Sequence, residues 1–209
     1  MKKFFSTLLF AILLSAGCQT EGLTAEEAQE SLDETKISAQ TEALVTNGIE
    51  IATGFTIGQG VQQAAEEIRN FITSQLPCAQ VELEGSTLTI TYGVHEGNCT
   101  FRGHTFSGSH AITVTSNEPG TVQVDHEWTR FSNGIVEVSG NATVTWDSQA
   151  MTRHVTHTLN WTRLADARTG TGTGDRLQQA LPEGLATGFQ VDGSRTWTTA
   201  RGQWSLEIE

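Results

Sequence analysis

Basic residues are scarce in this chain of 209 residues, which has 12 Lys and Arg against 24 Asp and Glu. Lys2 and Lys3 lie in a leader segment that we expect to be removed, and every acidic residue follows Cys18. The mature chain would then have 10 basic and 24 acidic residues, a net charge of −14. Such a chain repels nucleic acid and anionic lipid headgroups, so neither is an expected partner. We interpret the acidity as a solubility feature, with an acidic recognition surface as the alternative.

Cysteine is also rare, with three residues at positions 18, 78 and 99. Cys78 and Cys99 do not form the closely spaced pair typical of zinc ligands, which argues against a metal site there. In an exported chain an even pair of cysteines predicts a disulfide. A bridge between them would close a loop of about 20 residues and stabilise the fold by roughly 3 kcal/mol in the chain-entropy model.

No apolar run is long enough to span a bilayer, which takes about 20 residues. The longest is the segment from Phe4 to Leu14, which follows two lysines and precedes small residues. This layout predicts a secretory signal peptide over residues 1–17.

The segment Leu14-Ser15-Ala16-Gly17-Cys18 resembles the bacterial lipobox, although Ser15 stands where leucine is most usual. The resemblance implies that Cys18 is lipidated and becomes the new N-terminus, and acyl chains would then hold the protein stably on a membrane. Gln19 follows the cysteine, which by resemblance to the lipoprotein sorting rule favours the outer membrane. The alternative is an ordinary signal peptide that happens to end near a cysteine.

Residues 18–47 are polar, acidic and free of aromatic side chains. Thr24 and Glu27 have the spacing of a helix-capping box, but the apolar stripe that follows them is thin. We therefore predict an acidic tether with weak helix, which spaces the domain from the membrane. Apolar residues next recur at helical spacing over residues 60–76, and Pro77 follows them, so a packed helix is predicted there.

From Val81 onward the apolar residues alternate with polar ones, which is typical of antiparallel strands with one buried face. Short turn signals separate the runs, so we predict a mainly β domain over residues 48–209, built as a meander of about eight strands. Glycines recur inside strands at Gly108, Gly140 and Gly193 and predict bends, hence a curved sheet that forms a half-barrel or a barrel-like fold. The Gly-Thr run 169–174 is predicted to be a flexible connection or an edge strand. Alternation continues to Ile208, which fits an edge strand or a chain that continues further.

Three segments of this region together resemble a group of β-rich bacterial lipoproteins without an assigned activity: Cys99 to Ser109, Phe131 to Gly140, and Trp161 to Asp166. The resemblance extends over roughly residues 48–209 and rests on turns and mid-strand glycines. It implies an envelope lipoprotein and carries over no catalytic residue.

Three histidines, His110, His126 and His157, fall on the apolar face of the predicted strands. A shared inner cluster could ligate zinc, but isolated inward histidines are more often neutral core residues, and we predict no metal. His154 and His157 are three residues apart, which on a strand places them on opposite faces.

The common catalytic motifs are missing. The sequence has no Gly-x-Ser-x-Gly elbow, and the Gly-Thr run lacks the lysine of a phosphate-binding loop. Asp125 and Glu127 share one strand face, but carboxylates on a solvated face are ordinary. We therefore predict no catalytic residues and no cofactor.

The five tryptophans all fall on the predicted apolar faces, at positions 128, 146, 161, 197 and 204. Core packing is the simpler interpretation for Trp128, Trp146, Trp161, Trp197 and Trp204. In a half-open sheet the same indoles could instead line a pocket for an acyl chain or a sugar.

Taken together, the sequence favours a non-catalytic binding or structural module in the cell envelope, attached to the membrane through Cys18, with an unknown ligand or protein partner. A carrier of a lipid-like ligand in a curved-sheet cavity is the first alternative, and an envelope hydrolase is the second.

Overall fold

Two helices precede eleven strands in residues 24–182 and 189–208, the part of the chain that the computed structural model describes. The helices are α1 (Ala25–Glu50) and α2 (Val61–Gln75). The strands are β1 (Gln80–Glu84), β2 (Thr87–Tyr92), β3 (Thr100–Phe101), β4 (His104–Thr105), β5 (Ser107–Asn117), β6 (Thr121–Ser132), β7 (Val136–Asp147), β8 (Thr152–Arg163), β9 (Thr169–Ala180), β10 (Phe189–Thr199) and β11 (Gly202–Ile208).

Nine of the strands form one antiparallel sheet in the order β1-β2-β5-β6-β7-β8-β9-β10-β11, and β3 and β4 form a separate small hairpin. Within the described residues β1 and β11 are the two edges, so the sheet is open. The predicted mainly β fold, a curved meander with an N-terminal helix, is confirmed. The main sheet has nine strands where about eight were predicted, because the Gly-Thr run forms a strand of its own.

The mid-strand glycines have backbone conformations that residues with side chains rarely adopt. Gly108, Gly140 and Gly193 have φ values of +85°, +147° and +145°. A Cβ atom at any of them would lie 2.0–2.2 Å from a carbonyl oxygen of the neighbouring strand. The pairing of β5 with β6 also shifts register beside Gly108. Glycine is required at these positions because another side chain would collide with the adjacent backbone.

Helix α1 shows that the predicted tether over residues 18–47 is wrong from Ala25 onward. The capping box exists: the Glu27 amide donates to the Thr24 hydroxyl oxygen, and the Thr24 amide donates to the Glu27 carboxylate. The helix continues to Glu50 and buries a face against the sheet, including Ile37, Leu44 and Ile49. The stripe looked thin because small and polar residues, Ser38, Thr41 and Gly48, share the buried face.

Helix α2 occupies the position predicted for residues 60–76. Its buried residues are Ala64, Ala65, Ile68 and Ile72, and it packs on β1, β2 and β5. Beyond its end, Cys78 forms the predicted disulfide with Cys99, at a Cα–Cα distance of 5.4 Å. The bridge fastens the end of α2 to the segment that leads into the β3–β4 hairpin.

Strand β9 corrects the prediction for residues 169–174. The run is neither a flexible connection nor an edge, because β9 pairs along its whole length with β8 on one side and β10 on the other. Its threonines face outward and are exposed, whereas Gly172 and Gly174 face inward and are buried.

Candidate functional site

The inner face of the sheet, against which the helices pack, is filled by aromatic rings that lie beside glycines. Trp128, Trp161 and Trp197 are each at most 4% exposed. One row of paired residues crosses eight strands on this face: Ile90, His110, Trp128, Gly140, Leu159, Gly172, Trp197 and Trp204. In this row Trp128 pairs with Gly140, and Trp197 pairs with Gly172. In such pairs the aromatic ring covers the backbone that glycine leaves exposed.

The closest aromatic contact joins Trp161 and Trp197, whose rings stack with centroids 4.6 Å apart and planes 9° apart. Both lie over β9. A Cβ atom at Gly170 would lie 2.6 Å from the Trp161 ring, and one at Gly172 would lie 3.2 Å from the Trp197 ring. The glycines of β9 therefore provide the space in which the two indoles stack.

The other two tryptophans lie at the margins. Trp146 is partly buried, makes an edge contact with Phe55 at 6.2 Å, and has the Arg153 guanidinium over its ring at 5.4 Å. Trp204 is partly buried on β11 and pairs with Trp197 across the strands. The five predicted residues thus share one face but do not surround one cavity.

Two of the three inward histidines form a buried hydrogen-bonded chain. His110 Nδ1 lies 3.4 Å from the Tyr92 hydroxyl, and His110 Nε2 lies 3.0 Å from His126 Nδ1. The Trp128 ring stacks against both imidazoles at centroid distances of 5.3 and 5.7 Å. Burial disfavours the charged form, so it depresses the pKa of His110 far below its usual range and lowers the pKa of His126 to about 3. Both rings are therefore neutral at ordinary pH.

The third histidine belongs to a different cluster. His157 Nε2 lies 3.6 Å from the Glu42 carboxylate of α1, and burial lowers the pKa of this imidazole. The residues that the structure describes contain no group of three or more His, Cys, Asp or Glu arranged to hold a metal ion. His154 faces the opposite side of the sheet, where it contacts Asp175 at 2.6 Å.

A set of ion pairs between α1 and the sheet was not anticipated from the sequence. Arg163 and Arg168 contact Asp33, and Arg168 also contacts Glu34. The guanidinium of Arg168 holds the pKa of the Asp33 carboxyl below its ordinary value.

Two further acids of α1 extend this arrangement along the helix. Arg176 lies 2.8 Å from the Glu42 carboxylate and Arg195 lies 3.7 Å from it, while Arg153 contacts Glu50. The acids of α1 that form these pairs recur every eight residues, at Glu34, Glu42 and Glu50. This spacing was the available sequence signal for the ion pairs between α1 and the sheet. The interface between α1 and the sheet is therefore held by charge as well as by apolar packing.

One groove lies between the first half of α1 and the start of β11, next to the β10–β11 turn. Its volume is about 500 Å³, and the residues that line it include Glu27, Glu30, Arg201, Gln203 and Trp204. Its lining combines polar and charged side chains with apolar surface, which includes one indole. Its lining does not include Trp161 and Trp197, which are buried.

The outer face of the sheet carries hydroxyl and carboxylate side chains in rows. One row crosses eight strands through Thr87, Thr113, Asp125, Thr143, Thr156, Asp175, Ser194 and Glu207. Within it the Asp125 carboxylate accepts hydrogen bonds from Thr115, Gln123 and Thr143. A shallow depression of about 720 Å³ on this face includes Asp125, Glu127 and Asn141. Asp125 is engaged by its neighbours, and no described histidine or serine contacts Glu127 in the way that an acid–base pair requires.

The predicted signal peptide and Cys18 lie outside the described residues. Within residues 24–182 and 189–208, neither helix combines the length and the apolar character needed to cross a membrane. The chain matches no family model, and comparisons with curated proteins and with solved structures also gave no match.

Proposed function

We propose that this protein is a lipid-anchored, non-catalytic module of the bacterial envelope. Other envelope components bind it through the outer surface of its sheet. The observation that carries the proposal is the filled inner face. Tryptophans, neutral histidines and two helices occupy the space in which a curved-sheet carrier or an enzyme would place its ligand. What remains accessible is a solvated face of hydroxyls and carboxylates, the described turns at the two ends of the strands, and the groove beside the first half of α1.

The chemistry of the buried groups supports a structural role for them. His110 and His126 bond to each other and are neutral, and His157 lies under Glu42. A general base must reach a substrate proton, and these imidazoles are at most 5% exposed. The histidines therefore belong to the packed interior, where His157 alone contacts α1.

The anchor is part of the proposal and rests on the sequence Leu14 to Cys18. Expression of the full chain in a Gram-negative host with an alkyne-labelled fatty acid tests it directly. We expect Cys18→Ser to abolish labelling and membrane association. The double variant Cys78→Ser, Cys99→Ser is the matched control, because it removes the other two thiols and should keep the label. Labelling that survives Cys18→Ser would refute the anchor.

A carrier of a lipid-like ligand is the second candidate, and one observation favours it. In the described structure the indole N–H groups of Trp128, Trp161 and Trp197 are buried without a hydrogen-bond acceptor. A buried indole N–H usually has a partner, and a ligand admitted by movement of α1 could supply one. Native mass spectrometry of protein purified from membranes separates the two functions: a bound lipid retained in stoichiometric amount favours the carrier, and its absence favours the module.

A further inference from the structure

Few residues separate Cys18 from the folded domain, which limits how far that domain can lie from a bilayer that holds acyl chains on Cys18. This inference rests on the proposed lipidation of Cys18. Helix α1 begins at Ala25, seven residues after the cysteine. Seven residues extend over at most about 25 Å, at 3.3–3.6 Å for each residue. A tether that reached residue 47 would extend over roughly 100 Å by the same measure, so the folding of α1 removes most of the expected spacing.

Contacts of α1 identify which end of the domain is close to the anchor. Its first half contacts Arg163, Arg168 and Arg201, which flank the turns β8–β9 and β10–β11. In an antiparallel meander alternate turns lie at the same end, so the turn β6–β7 belongs with them. We name this surface the anchor end, defined by residues 133–135, 164–168 and 200–201.

The anchor end exposes apolar side chains on adjacent turns. Ile135 is 47% exposed and Leu164 is 48% exposed. The two turns are joined, because the Leu164 amide donates to the Ile135 carbonyl oxygen at 2.9 Å. Exposed apolar residues that cluster on neighbouring elements are typical of an interaction surface rather than of isolated surface positions.

The charges of the anchor end are compatible with a neutral lipid surface. The chain is strongly acidic overall, but the three carboxylates next to these turns, Glu30, Asp33 and Asp166, are paired with arginines. Asp33 contacts Arg163 and Arg168, and Asp166 contacts the same two guanidinium groups. Glu30 contacts Arg201 at 3.3 Å. Pairing reduces the repulsion that unpaired carboxylates would meet near lipid phosphates.

We propose that the anchor end rests on the bilayer, with Ile135 and Leu164 inserted at the level of the lipid headgroups. The lipid chains on Cys18 hold the domain within reach, and these two side chains fix its orientation. The outer polar face and the opposite turns then point away from the membrane. Apolar side chains at a membrane interface contribute in this way to proteins that lie on a bilayer.

The test uses the full chain, purified in its lipidated form and reconstituted into phosphatidylcholine vesicles. A polarity-sensitive fluorophore is attached, without reduction of the disulfide, to Ile135→Cys, Leu164→Cys or Met151→Cys. Met151 is the matched control, because it is an apolar residue with 50% exposure in the β7–β8 turn at the opposite end. A quencher attached to the lipids reports contact with the bilayer.

We expect labels at residues 135 and 164 to shift to the blue and to be quenched, and the label at 151 to remain in water. Protein that floats with the vesicles while all three labels stay in water overturns the orientation and leaves the anchor intact. A blue shift at residues 135 and 164 without quenching overturns it as well, because a protein surface and not lipid then covers the anchor end. Protein that lacks the acyl mass and does not float refutes the proposed anchor and this inference together.

Discussion

The inner glycines of β9 offer a graded test of how the sheet is packed. Replacement of Gly170, Gly172 or Gly174 by alanine adds one methyl group at three neighbouring points beneath aromatic rings. In an open strand position, alanine in place of glycine would stabilise the fold by about 0.5–1 kcal/mol, because the unfolded chain loses conformational freedom. The structure predicts that contacts reverse this gain to different extents.

The distances to the added Cβ atom set the order of the three effects. At Gly172 the nearest atom is 3.2 Å away in the Trp197 ring, so a small adjustment suffices and the net effect is within about 1 kcal/mol of zero. At Gly174 the His157 ring is 2.3 Å away, and overpacking should cost about 1–3 kcal/mol. At Gly170 the Thr198 carbonyl oxygen is 2.2 Å away, and backbone cannot rotate aside, so about 3 kcal/mol or more is expected.

Urea denaturation followed by far-ultraviolet circular dichroism measures these changes, and the midpoints can be compared where the slope is unchanged. Gly120→Ala is the control, because a Cβ atom there meets nothing within 4 Å, and this variant should be unchanged or slightly more stable. If Gly170→Ala were as stable as the parent chain, β9 could not lie under Trp161 between β8 and β10. Equal losses at all three positions would also refute the packing argument.

Three further outcomes follow from buried groups. The unfolded chain binds protons at His110 and His126 near pH 6.5 while the folded chain, with the pKa of His126 at about 3, does not, so stability falls as the pH drops below 6.5. Between pH 7.5 and 5 the free energy of unfolding should fall by about 2 kcal/mol for each histidine. Urea midpoints of the parent chain that do not change over this pH range would contradict the prediction. Reduction of the bridge between Cys78 and Cys99 should lower the free energy of unfolding by about 3 kcal/mol, as measured by calorimetry with and without reductant. Glu42→Gln should lower the free energy of unfolding by about 1–2 kcal/mol, which is less than for a fully buried ion pair because the carboxylate is partly exposed. In 1 M salt the difference in the free energy of unfolding between this variant and the parent chain should become smaller.

The sequence determined the elements with local signatures. The two-residue alternation fixed the inward and outward faces of the strands, because side chains on a strand point to opposite sides in turn. The glycines at 108, 140 and 193 predicted bends, and the structure shows the close backbone contact that requires them. The helix before Pro77 and the pairing of Cys78 with Cys99 were likewise predictable, since each depends on a short pattern or on a small count of residues.

Contacts between distant segments were decided by the tertiary structure. The thin apolar stripe of residues 25–47 predicts a tether with weak helix. The arginines Arg153 and Arg163 that pair with α1 lie more than 100 residues further along the chain, so no local pattern reveals them. The Gly-Thr run contains no apolar side chains of its own, so its sequence does not predict an interior strand. The apolar cover over its glycines comes from Trp161 and Trp197, which lie on the strands on either side. The local sequence specifies which face of a strand a residue occupies. The side chains that cover this face are decided only when the sheet and helices assemble, because burial and charge pairing depend on neighbours in space.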